Sequence, residues 1–143
     1  MYPTVLVPTD GSDESFRAAA EAVDIVASDG TMHALGVIEE IPMYKRSGKA
    51  IKFDDRDEGA EARTRAAVDH VSEVAAEAGI ECVTAVERGV PALAITDYAE
   101  AVNADAIVLG KRGLNESAND LLGSTTERVL KKASTTVISV PAA

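Results

Sequence analysis

AIVLGKRGLNESANDLLGSTTERVLKKASTTVISV, residues 106–140, carries the signals that decide the fold. Ala106–Gly110 is a continuous apolar run, not an alternating one, as expected of a strand covered on both faces. A loop punctuated by Gly110, Gly113 and Gly123 follows, and Ser124–Lys132 then reads as a helix with Lys131 and Lys132 at its negative end. Thr135–Val140 is the final strand. Strands joined through a helix run parallel, because the crossover returns the chain to the edge from which it started.

The same alternation extends back to the start of the chain. Thr4–Pro8 reads as a strand, Thr9–Ser12 as a turn, and Asp13–Ser28 as a helix with Phe16, Ala19, Ala20, Val23, Val26 and Ala27 along one face, capped by Ser12 or Asp10. Gly30 is expected to stop that helix ahead of a strand over Thr31–Ile38. The polar, charge-mixed segment Glu39–Asp57 is the longest candidate loop. A helix over Glu58–Ala78 ends at Gly79, and Ile80–Glu87 is the third strand. The turn Arg88–Val90 leads to Pro91, which suits the first turn of a helix continuing over Ala92–Val102.

Residues 1–143 therefore form one α/β domain, a doubly wound, five-stranded parallel sheet of order 3-2-1-4-5 with helices on both faces. Such sheets bind ligands beyond the carboxyl ends of the strands, where the winding direction reverses. Here that point lies between the first and fourth strands, at Pro8–Ser12 and Gly110–Thr125.

The glycines of the second of these loops have a physical use. Gly110 and Gly113 are three residues apart, and Gly123 lies ten further on, directly before Ser124 and Thr125. Glycine lets backbone N–H groups approach phosphate oxygens, and successive N–H donors form an anion-binding concavity. The start of the last helix adds unpaired N–H groups and a positive dipole end, and Ser124 and Thr125 add hydroxyls. Gly123 as a plain turn glycine and Ser124 as a plain cap are the competing readings.

These glycines fit G-x2-G-x9-G-[ST], the pattern found in ATP-binding members of the universal stress protein family, which this chain resembles throughout. The resemblance runs through VLVPTDGS (5–12), LGVIEE (35–40), GVPALAITDYAEAVNADAIVLG (89–110) and TERVLKKASTTVISV (126–140). It implies an adenine-nucleotide alpha-hydrolase-like fold and a ligand that is ATP or a related adenine nucleotide, with Mg²⁺ or Mn²⁺. It further implies adenine and ribose held near Thr9, Asp10 and Val37, and triphosphate held by Gly110, Gly113, Gly123 and Ser124. A homodimer through the last strand, Thr135–Val140, and a role in stress response or signalling with an unidentified partner protein complete what it implies. With the neighbouring crevice positions, the candidate nucleotide-binding residues are Pro8, Thr9, Asp10, Val37, Leu109, Gly110, Arg112, Gly113, Gly123, Ser124 and Thr125. Lys111 and Arg112 could neutralise phosphate charge, while Glu116 and Asp120 could repel it, lie outward or help hold the metal ion.

Composition narrows the alternatives. The 24 acidic and 14 basic residues give a formal net charge of −10, which disfavours double-stranded nucleic acid and anionic membranes as partners and suits either a well-solvated surface or a high-salt cytoplasm. Aromatics make up only 3% of the chain, too few for a base-stacking platform. No segment approaches the roughly 20 apolar residues of a membrane span, and Met1 leads straight into a strand, so the expected location is cytoplasmic. Cys82 is the single cysteine and reads as a structural thiol, while His33 and His70 read as structural or surface residues away from the crevice.

The basic cluster Lys45, Arg46, Lys49, Lys52 and Arg56 could close over phosphates, but its interspersed Asp54, Asp55 and Asp57 also suit a solvated loop. A catalyst should present a poised base or nucleophile, and only Asp10 stands at the crevice, so a weak ATP hydrolase is an alternative to a binding module. A stress protein that only oligomerises, without nucleotide, is another, and an electron-transfer flavoprotein is the remaining competitor of similar winding. Walker and GxGxxG loops are absent from the sequence.

Overall fold

The computed structural model describes residues 1–40, 43–44, 50–51, 59–113 and 121–141. Its elements in chain order are β1 (Tyr2–Pro8), α1 (Asp13–Ile25), β2 (Val26–Glu39), β3 (Met43–Tyr44), β4 (Ala50–Ile51), α2 (Ala60–Glu77), β5 (Glu81–Gly89), α3 (Pro91–Ala101), β6 (Ala106–Gly110), α4 (Ser124–Lys132) and β7 (Thr136–Val140). Five strands form a parallel sheet in the order β5-β2-β1-β6-β7, which is the 3-2-1-4-5 winding expected from the sequence. The two-residue strands β3 and β4 pair separately and antiparallel.

Alternate residues of each strand feed two cores. Val5, Val7, Met32, Ala34 and Val108 pack against Ala18, Ala19 and Ala22 of α1 and Val68, Val71 and Ala75 of α2. Leu6, Leu35, Ile107 and Leu109 pack on the other face against Ala92, Ile95 and Ala99 of α3 and Val129 of α4. Burial on both faces is why these strands read as unbroken apolar runs.

Among the boundaries that differ from expectation, two have a plain physical cause. Helix α1 stops at Ile25, and Val26 is already extended, with φ −73° and ψ 144°. Gly30 is therefore not a helix stop but an interior residue of the 14-residue strand β2. The cause is pairing: Val26 sits opposite Tyr2 and is 1% exposed, so its side chain gains full burial in the strand. A side chain at Gly30 would come within 2.6 Å of the Pro3 carbonyl oxygen, so the close approach of β1 requires glycine there. At the far end, β5 continues through Arg88 to Gly89, where a turn was expected, because the long β2 offers Ile38 and Glu39 as partners. Gly79 does end α2 in the left-handed region, at φ +72°.

His33, His70 and Cys82 fall away from the crevice. The Nδ1 of His33 lies 2.9 Å from the Tyr98 hydroxyl, and burial holds that imidazole below its ordinary pKa. His70 stacks against Phe16 with ring centroids 4.0 Å apart. Cys82 is half-buried against the first core, and burial pushes its thiol pKa up, which favours the unreactive protonated form. Side chains of the basic cluster 45–56, and residues Glu116 and Asp120, lie outside the described residues.

Candidate functional site

At the carboxyl edge of the sheet, where the order reverses between β1 and β6, a cleft of about 390 Å³ opens. Turns, strand ends and helix starts build it, each for a local reason. The β1–α1 turn is fixed by hydroxyls. Ser12 caps α1, its Oγ accepting from the Ser15 N–H at 3.2 Å, while the Thr9 hydroxyl donates to Ser15 Oγ at 3.0 Å and accepts from the Gly11 N–H at 3.3 Å. Gly11 takes φ +83°, which lets the chain fold back so that Asp10 Oδ1 accepts from the Ser12 N–H at 3.0 Å. Asp10 is thus held by its own turn, and its other oxygen lies 2.5 Å from where a side chain would begin at Gly113.

The glycine loop is closed at its base by backbone. The Lys111 N–H donates to the Val140 carbonyl and the Gly123 N–H to the Lys111 carbonyl, both at 2.8 Å. The Thr126 hydroxyl donates to the Gly110 carbonyl at 2.8 Å, which ties α4 to the end of β6. Gly123, the residue before α4, has no side chain to cap it, and Val90 leaves α3 without a side-chain cap as well. Pro91 and Ala92 of α3 and Ser124 and Thr125 of α4 line the cleft, so two helix starts present their positive ends there.

Arg112 does not stand as a free cation. Its Nε and Nη2 donate to Glu14 Oε1 at 3.1 and 2.9 Å, and its backbone N–H donates to Glu14 Oε2 at 2.6 Å. The Glu14 side chain is only 10% exposed, so this pair crosses from α1 to the loop in a largely dry setting.

All eleven residues singled out from the sequence line this one cleft: Pro8, Thr9, Asp10, Val37, Leu109, Gly110, Arg112, Gly113, Gly123, Ser124 and Thr125. Sequence reasoning placed Ser12 in the crevice loop without assigning it to a ligand, and missed Ser15, Leu35, Glu39, Pro91, Ala92, Ile95, Thr126 and Arg128, which line the cleft too. Periodicity could have found several. Leu35, Val37 and Glu39 share a face of β2, and Arg128 follows Ser124 by four residues on a helix. A second cavity, of about 330 Å³, lies at the opposite end of β6 and is lined by Thr96, Glu100, Asn103 and Thr135 among others.

A parallel sheet wound both ways from β1, with a glycine loop and two helix starts at its switch point, is a doubly wound α/β architecture, the class that holds its ligand at that point. More narrowly, the sequence model of the universal stress protein family matches residues 1–141, and the chain belongs to that family. Universal stress protein MJ0531 of Methanocaldococcus jannaschii is 35% identical over 145 residues, spanning 98% of this chain and 82% of the relative. Among solved structures, the protein MJ0577 shares the fold with a TM-score of 0.83 at 24% identity, covering 100% of this chain and 98% of its own. A universal stress protein in complex with cAMP matches with a TM-score of 0.69 at 28% identity, covering 98% and 97%.

Proposed function

We propose that this chain is an adenine-nucleotide-binding module that takes ATP or a close relative in the cleft between β1 and β6 and acts in stress response or signalling. The observation that carries the reading is the convergence of the eleven named residues on one cleft, where the Asp10 carboxylate meets Gly113 of the glycine loop. Val37, Leu35 and Ile95 offer an apolar wall to the base, while the start of α4 offers N–H donors to the phosphates. A family member of 28% identity was solved in complex with cAMP, an adenine nucleotide. Mg²⁺ or Mn²⁺ would enter on the phosphates, with the Asp10 carboxylate beside Gly113 as an oxygen ligand from the protein. The same proposal includes a cytoplasmic location and a homodimer through β7, whose outer edge has no strand partner among the described residues.

The test is denaturing extraction of the purified protein with chromatography of released nucleotides, then a thermal-shift titration of ATP and Mg²⁺ on stripped protein. Co-purified adenine nucleotide, or a stabilisation of about 2.7 kcal/mol at ligand one hundredfold above Kd, is the expected result. Gly123→Val should abolish it; φ −68° and ψ 153° at that buried position are open to a valine, and circular dichroism checks that the fold is kept. No released nucleotide and no stabilisation at low or high salt would overturn the reading, and sedimentation of the same preparation as a monomer would overturn the dimer.

A further inference from the structure

Four charged side chains line the described part of the cleft: Asp10, Glu39, Arg112 and Arg128. The first of the two cations is matched by the Glu14 carboxylate through three hydrogen bonds, two from the guanidinium and one from the backbone. A cation held this way, with its own side chain 21% exposed, contributes position more than net charge. Arg128 differs. It is exposed and has no hydrogen bond or ion pair with any described residue. The other pairing on its helix joins Lys131 to Glu127 at 3.1 Å, which leaves Arg128 outside it.

Its position on α4 gives that charge a direction. Arg128 follows Ser124 by one turn, about 6 Å along the axis, and helix side chains lean toward the amino terminus. The side chain, which lines the cleft, therefore sets out in the direction of Ser124 and Gly123, where the glycine loop closes.

We propose that Arg128 engages the outermost phosphates of the bound nucleotide and so makes the cleft discriminate by phosphate number, favouring ATP over ADP and ADP over AMP. The inference rests on the nucleotide reading above. A planar guanidinium suits this role because it donates two parallel hydrogen bonds to a phosphate, and the approach of a charged ligand costs it no existing partner among the described residues. Glu14 makes the discrimination sharper, since neutralising Arg112 removes a competing attraction that AMP would share. Arg112 and Glu14 are positioning residues in this scheme, and Arg128 is the contact.

Titration calorimetry of ATP, ADP and AMP on the stripped full chain, wild type and Arg128→Gln, tests it. The variant should fold as the wild type does, since the side chain is exposed, and circular dichroism checks this. ATP affinity should fall about tenfold or more, as for loss of a hydrogen bond to a charged group, while AMP affinity changes less than about twofold. Arg128→Lys should recover part of the ATP affinity, keeping the charge without the fork. Equal losses for ATP and AMP, or no loss for either, would overturn the assignment while leaving nucleotide binding standing. A wild type that binds none of the three overturns the nucleotide reading, and this inference with it.

Discussion

Gly110 and Gly113 lack a side chain for different reasons. A methyl group at Gly110 would lie 2.9 Å from Glu14 Cβ and 3.1 Å from both Glu14 C and Ser15 N, atoms of the first turn of α1 that shift only if the helix does. At Gly113 the neighbour is Asp10 Oδ2, at 2.5 Å, the end of a side chain that can rotate away. Gly110→Ala should therefore cost about 1–3 kcal/mol of stability through overpacking. Gly113→Ala should keep most of the stability and lose nucleotide binding, because Asp10 is displaced from the cleft. Chemical denaturation and thermal-shift titration of both variants separate the two effects, and a Gly110→Ala protein as stable as wild type would refute the packing argument. The glycines were legible in the sequence because their spacing is local. Glu14 was not, because its partner Arg112 lies 98 positions away and nothing in either neighbourhood marks the pair. The resemblance pointed to Arg112 as a residue of the site, yet the charge balance around it is a property of the fold.

At the scale of elements, legibility followed burial. The bounds Ala106–Gly110 and Ser124–Lys132 were readable in full, since a strand buried at every residue and a helix bracketed by glycine and lysines leave little choice. The α1–β2 boundary was not, because Val26 and Ala27 continue the helical apolar pattern and only pairing with Tyr2 turns them into strand. Helix α2 sits on β2 at a point equally hidden from periodicity. A methyl group at Gly36 would collide with Thr64 Cγ2 and approach Val68 Cγ1 to 3.3 Å, so the helix rests directly on the strand backbone. Gly36→Ala should destabilise by about 1–3 kcal/mol. Thr64→Ser removes the offending methyl and keeps the hydroxyl that donates to the Ala60 carbonyl at 2.7 Å. The double variant should thus be more stable than Gly36→Ala alone, with a coupling of about 0.5–3 kcal/mol in a urea-denaturation cycle. Strictly additive losses would show that the two groups do not meet.

The whole molecule sets a field that no single residue reveals. A net charge of −10 repels a nucleotide carrying about four negative charges at every distance beyond contact, whereas the attraction of α4, the glycine loop and Arg128 acts only within the cleft. Salt separates the two ranges. The screening length falls from about 30 Å at 0.01 M to about 8 Å at 0.15 M, which removes most of the long-range repulsion but weakens partly buried contacts less. ATP affinity should therefore hold or rise over that interval, and it should gain on AMP affinity, because AMP carries fewer charges and feels less repulsion to begin with. Calorimetry of both nucleotides across the same salt series makes the comparison without reference to absolute affinity. A steep fall for ATP would mean that contact-range cations outweigh the field. The basic cluster between Lys45 and Arg56 would then be the first place to look, since its five cations outnumber the two carboxylates, Asp54 and Asp55, within the same twelve residues.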